Sequence, residues 1–171
     1  LSEGEINELH IGLKGTMNAL FLKDLAIKIK RGQRGNIESG RASGGLSYGY
    51  KVLIEYNAKG LPIRGKRSID EDQASIIRRI YTQYANGESP RAIATSLNRD
   101  NIPGPKGGQW NASTINGNRA RRNGILLNEA YIGLLIYNRT TMLKDPLTGK
   151  RVHKINPFEE WQIKEVPELK I

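Results

Sequence analysis

The sequence predicts a mainly helical α+β protein: a long N-terminal helix, then a domain of short helices with a small antiparallel sheet at its flank. Three observations carry that reading. Apolar residues at helical spacing run through residues 6 to 26 and give way to a run of basic residues. Two helix-start signals, Asp70 and Ser89, stand on either side of a glycine stop at Gly87. Short β-branched segments bounded by glycine, proline and asparagine fill much of the rest.

Taken in order, Ile6, Leu9 and Leu13 share helical spacing behind Ser2 as an N-cap. Gly15 is expected to interrupt this helix. Thr16 then caps a second one with Met17, Leu20, Phe21, Leu25 and Ala26 as its apolar positions. Lys23, Lys30, Arg34 and Arg41 lie close to whole helical turns from one another, so a continuing helix aligns them on one face. Gly32 and Gly35 each cost such a helix about 1 kcal/mol relative to alanine. The stretch "GRASGGLSYG", residues 40 to 49, has linker composition and sets the expected boundary between residues 1–39 and 50–171.

Residues 50 to 69 read as a β-hairpin, with "YKVLIEY" and "LPIRGKRSI" flanking an "NAKG" turn. Lys59, Arg64, Lys66 and Arg67 make it basic. Asp70 with Gln73 resembles a capping box, and Ile76, Ile77, Ile80, Tyr81 and Tyr84 supply the apolar face of the helix that follows. Ser89 caps the next helix, Pro90 takes its first position, and Ile93, Ala94 and Leu97 face inward. The short link between these helices forces them into contact at a steep angle. "IPGPKGG" breaks the chain, and Trp110 announces a third helix from about Asn111 to Arg119. "NGILLNEAYIGLLIYNR" predicts a short helix and then a strand over about 131 to 138. "DPLTGK" reads as a loop, and "RVHKI" and "WQIKEV" as short strands. Helix, tight turn, helix, loop, helix and flanking strands is the order of a helix-turn-helix or winged-helix-like module.

Charge narrows the function. The chain carries 27 Lys+Arg against 17 Asp+Glu, a net +10. Residues 14 to 67 hold twelve basic residues and three acids, a net +9, and residues 91 to 139 hold seven and two. Two separated basic zones point to a polyanionic partner, with a merely solubilising surface as the alternative. There is no cysteine, hence no disulfide and no thiolate metal site. No long apolar run and no leader is present, so the sequence is read as soluble and cytoplasmic, with no membrane partner.

Catalytic chemistry finds little support. His10 and His153 sit in unrelated segments, with no nucleophile or metal spacing around them. No phosphate-cradling glycine loop is present. The carboxylate pairs Asp70/Asp72 and Glu159/Glu160 read as helix-start charge and a solvated face. No complete active site, metal site or cofactor is expected. Binding chemistry remains. Ser113, Thr114, Asn116 and Asn118 are short hydrogen-bonding residues on or near the third helix, and Arg119, Arg121 and Arg122 follow it. Arginine can bond guanine bidentately and asparagine adenine, while serine, threonine and lysine hold phosphate oxygens. The expected DNA-binding set is these seven with Lys23, Lys30, Arg34, Arg41, Lys66 and Arg67; the alternative is a polar helix and loop facing water.

Together, "GLKGTMNALFLKDLAIKIKRGQRG", "GGLSYGY", "NGESPRAIATSLNRDNIPGPKGGQW", "STINGNRARRNGILLNEAYIGLLIYNR" and "VPELKI" resemble the central part of a large serine recombinase of the resolvase/invertase family. The resemblance covers nearly the whole chain. It implies that residues 17 to about 39 are the long helix leaving the catalytic domain, contributing to dimerisation and crossing the DNA minor groove. It places a family arginine near Lys28, where lysine lacks the bidentate geometry. The family's tyrosine-x-arginine-x-serine motif has no match, and the later cysteine ribbon and coiled coil are absent. The resemblance therefore implies a fragment, without the catalytic serine, of an enzyme that cuts and rejoins a double-stranded DNA attachment site and self-associates as a dimer or tetramer. Two other readings stand beside it. One is a self-contained winged-helix transcription regulator using residues 70 to 122; the other is a structural or RNA-associated basic protein.

Overall fold

The structure, a computed structural model, describes residues 8–171, and side chains from His10 onward. Ser2 and Ile6, expected as a cap and an apolar position, lie outside the described residues, as does the side chain of Leu9. The chain divides between Gly35 and Asn36 into two compact units.

Most of helix α1 (Glu8–Glu38) belongs to the first unit. It runs without a break through Gly12, Gly15, Gly32 and Gly35, so the expected interruption at Gly15 does not occur. A glycine removes no backbone donor or acceptor, and its propensity cost does not outweigh the continuing hydrogen-bond ladder. Thr16 is accordingly no cap; its hydroxyl donates back to the Gly12 carbonyl at 3.0 Å. The stripe of Met17, Leu20, Phe21 and Leu25 is exposed.

The second unit begins in the last turn of α1, where Ile37 is buried. Gly40 (φ +68°) donates to the Ile37 carbonyl and Arg41 to that of Asn36, both at 2.8 Å, which closes the helix end. Arg41 therefore lies beyond the helix, which does not continue far enough to carry it as expected.

Strands β1 (Tyr50–Val52) and β4 (Arg67–Ile69) pair antiparallel, as do β2 (Glu55–Tyr56) and β3 (Pro62–Ile63) around the "NAKG" turn. There the Asn57 side chain accepts from the backbone of Lys59 and Leu61, at 2.9 Å each. Residues 40–49 lie within the second unit and are tied to it. Ala42 donates to the Gly65 carbonyl at 2.8 Å, and Gly49 to the Gln73 side chain at 2.8 Å. That last bond alters the expected capping box. Asp70 does accept from the Gln73 backbone, but Gln73 binds Gly49 instead of reaching back to Asp70.

Helices α2 (Glu71–Ala85) and α3 (Pro90–Arg99) follow, α3 capped by Ser89 with Pro90 at its start. Helix α4 (Ala112–Asn116) is shorter than the 111–119 expected. A 3-10 turn at Glu129–Ile132 leads into β5 (Leu134–Tyr137). Then come β6 (Thr140–Lys144), which sequence reasoning missed, β7 (Arg151–Ile155) and β8 (Gln162–Glu165). β5 pairs with β8 and β6 with β7, all antiparallel. The strands thus make separate two-stranded ladders in place of the single small sheet expected.

The core gathers Ile77, Ile80, Ile93, Leu97, Trp110 and Ile115 from the helical half with Tyr50, Tyr131, Leu135 and Leu169. The Tyr50 hydroxyl lies 2.7 Å from the carbonyls of both Ala130 and Leu169, tying β1 to the C-terminal segment. Tyr131 stacks on Tyr50 at 5.8 Å, and its hydroxyl donates to the Tyr48 carbonyl at 2.9 Å. Burial pushes the Tyr131 phenol from 10.0 up to about 12. Its folded form then keeps a proton that the unfolded chain has released, so stability is full below pH 10 and falls as pH climbs toward 12. Alkaline unfolding in urea should show a loss of roughly 2–3 kcal/mol across that window, reduced in Tyr131→Phe. A flat profile from pH 9 to 12 would contradict it.

No helix among the described residues is long and apolar enough to cross a membrane.

Candidate nucleic-acid interface

The region after α3 is built by short-range ties. The Asn98 side chain clamps the Trp110 backbone at two points, donating to its carbonyl at 2.9 Å and accepting from its N–H at 2.8 Å. Trp110 is buried edge-on against Tyr48, with ring centroids 5.3 Å apart. Arg79 pairs with Asp100 at 2.6 Å and donates to Ser96 at 2.8 Å, which locks α2 to the end of α3. The Arg79 hydrogen bond also holds the Asp100 carboxyl below the usual range. α4 sits in this frame with Ile115 inward, Ser113 and Asn116 exposed and Thr114 half-buried.

The segment 117–124 closes on itself. Gly117 (φ 65°, ψ −154°) and Gly124 (φ +104°) cross so closely that a Cβ on Gly117 would fall on the Asn123 carbonyl. Asn118 and Asn123 form an isolated bridge, and the Asn118 side chain accepts from the Arg121 N–H at 3.0 Å. Ile125 and Leu126 then donate to the carbonyls of Thr114 and Ile115, at 3.1 and 3.0 Å, which seats the loop on α4. Arg119, Ala120 and Arg121 stand exposed on it.

The three loop arginines, one group in the sequence, separate here. Arg122 (φ 47°) lies 3.4 Å from Glu129, which also pairs with Arg139 at 2.8 Å. Both guanidinium groups lie over the Trp161 ring, at 5.5 and 5.2 Å from its centroid. Arg119 and Arg121 have no ion-pair partner among the described residues.

Arg41, Lys66 and Arg67 line another cleft of about 560 Å³. Their charges are largely engaged. Lys66 pairs with Glu55 at 2.5 Å, while Arg67 donates to the carbonyls of Gly44 and Gly45. Burial lowers the Arg67 pKa. Arg41 reaches the Ser39 hydroxyl at 3.5 Å. In the first unit Lys23, Lys30 and Arg34 are exposed on one face of α1, with Lys28 also exposed.

Sequence reasoning missed Arg139 and Trp161, whose partners are remote in the chain. It also missed the exposed face of α3, where Arg91, Thr95 and Arg99 line an open groove of about 590 Å³; their spacing of one residue per turn was readable. Among the described residues no group of acids and histidines is placed to hold a metal.

Residues 71–171 match the profile of the Recombinase family. The chain belongs to that family. No curated protein and no solved structure gives a significant match to it. The Recombinase match starts at the first residue of α2 and takes in α3, α4, the arginine loop and all the strands from β5 onward.

Proposed function

We propose that this chain is the DNA-binding portion of a site-specific serine recombinase, acting on a double-stranded attachment site. Residues 1–39 are the end of the catalytic domain with its long helix, 40–49 the crossing, and 50–171 the DNA-binding domain, with α2, α3 and α4 as a winged-helix-like reader. One observation carries the reading: within the Recombinase match, a glycine-crossed loop presents Arg119 and Arg121 with no ion-pair partner among the described residues. Fixed guanidinium groups of this kind suit the edge of a guanine. Ser113, Asn116 and Lys23, Lys30 and Arg34 on α1 hold backbone phosphates, where position matters more than base identity. The engaged charges of Arg122, Lys66 and Arg67 give them a supporting part. Cleavage and rejoining by a serine nucleophile belong to the full-length protein, as does self-association, for which the exposed apolar stripe of α1 is suited.

Arg119→Gln and Arg121→Gln should each lower discrimination between a cognate and a scrambled duplex by about 1–3 kcal/mol. Lys23→Gln with Lys30→Gln should weaken both duplexes alike and flatten the salt dependence. Fluorescence anisotropy at several salt concentrations separates the two patterns. Discrimination unchanged in both arginine variants would remove the loop from the reading.

A further inference from the structure

The β6–β7 ribbon projects its surface to solvent: all of β7 and the outer half of β6 are exposed. Its base is nevertheless tied down by hydrogen bonds. Asn156, nearly buried, donates through its side chain to the Asn138 carbonyl and accepts from the Thr141 hydroxyl, both at 2.8 Å. The indole of Trp161 donates to its carbonyl at 3.0 Å. A solvent-exposed hairpin so firmly rooted is a preformed element.

Its outward charge is of one sign. Lys144, Lys150, Arg151 and Lys154 have no ion-pair partner among the described residues. Asp145, the single acid between residues 140 and 155, is turned into the tip. Its carboxylate accepts from the Leu147 N–H at 2.9 Å and the Thr148 hydroxyl at 2.6 Å, and the Thr148 bond holds its pKa below the usual range. The register sets Lys144 directly opposite Arg151. Like charges facing each other across a ladder cost stability, a cost that an anion between them would relieve. At the tip Leu147 is 94% exposed, a large apolar side chain with nothing over it. At the base, Thr140 and Ile155 share a small cleft of about 90 Å³ with Arg119, Arg122 and Trp161. The ribbon and the arginine loop are thus adjoining parts of one surface.

We propose that the β6–β7 ribbon is a second DNA-contacting element that enters a groove beside the arginine loop, with Lys144 and Arg151 on one face and Lys154 on the other set against the backbone phosphates that flank it, Lys150 beside them at the turn, and Leu147 carried into the groove. A two-stranded ribbon is of a width that a DNA groove admits, and apolar side chains at such tips wedge between base steps. The inference rests on the DNA reading above and adds the ribbon to it.

The test compares the full chain with the variant K144Q/K150Q/R151Q/K154Q and with R119Q/R121Q, by hydroxyl-radical footprinting and salt-titrated affinity on one duplex. Thermal unfolding confirms that each variant is folded; these ribbon positions are all exposed. The ribbon variant should keep its sequence preference, lose protection on one side of the footprint, and lose about 0.9 from the log–log salt slope for each phosphate contact removed. L147S should reduce affinity and leave the slope unchanged. A ribbon variant with the wild-type slope and footprint, beside a weakened R119Q/R121Q, overturns the ribbon proposal alone. The same holds if the ribbon variant changes only self-association in sedimentation, which would make the ribbon a protein-binding surface. Failure of the unaltered chain to bind any duplex overturns the DNA reading as well.

Discussion

Gly117→Ala should destabilise the protein by roughly 3 kcal/mol or more and abolish discrimination between cognate and scrambled DNA. Two independent costs meet at this residue. Its backbone, φ 65° and ψ −154°, lies in a region that residues with a Cβ scarcely populate. The added methyl would also collide with the Asn123 carbonyl, and that neighbour is backbone that cannot swing aside. Relief requires opening the crossing with Gly124, which releases the loop that carries Arg119 and Arg121. Gly108→Ala is the control. Its Cβ meets nothing within 4 Å, and the change should stay within about 0.5 kcal/mol. Urea unfolding and duplex titration on the same samples check both halves. If Gly117→Ala matched Gly108→Ala, the closed loop would be the wrong geometry.

Trp110→Ala should cost about 3–5 kcal/mol, the range for emptying a site of this size. The indole is 2% exposed and is packed between the helical half and Tyr48. Its role reaches beyond its own area. α4 has five residues, too few to hold a helix by hydrogen bonding alone, so Trp110 and Ile115 fix its position. With the indole gone, α4 and the loop after it lose their seat. Affinity for scrambled DNA should fall little, because α1 and its lysines are untouched, while affinity for the cognate duplex should fall toward the same value. Retained preference in a destabilised but folded Trp110→Ala protein would show that the reader lies elsewhere.

The parts of this fold governed by neighbours in sequence were readable in it. Asp70, Ser89, Pro90 and Gly87 mark the ends of α2 and α3, and the inward residues Ile77, Ile80, Ile93 and Leu97 follow from helical period alone. The "NAKG" turn is as local. What was not readable depends on distant partners. α4 ends where it does because Gly117 crosses Gly124, and nothing in "NGNRARRNG" announces that closure. Arg122 looks identical to Arg119 and Arg121 until Glu129 and Trp161 are placed beside it. β6 is short and largely exposed, so it carries no buried alternation to read. α1 shows the reverse error. Single glycines were given more weight than a ladder of many hydrogen bonds allows, while the glycine that does end the helix, Gly40, stood in what looked like a linker.

The most direct test of the proposed sequence-reading DNA-binding domain is a titration of this chain against duplex half-sites of the attachment site proposed for it, beside a scrambled duplex, at low and at raised salt. A preference for the half-site that survives raised salt is the predicted result, since base contacts remain when counterion release weakens. Equal affinity for both duplexes, collapsing together as salt rises, would contradict it and leave a basic protein that holds the DNA backbone without reading the sequence.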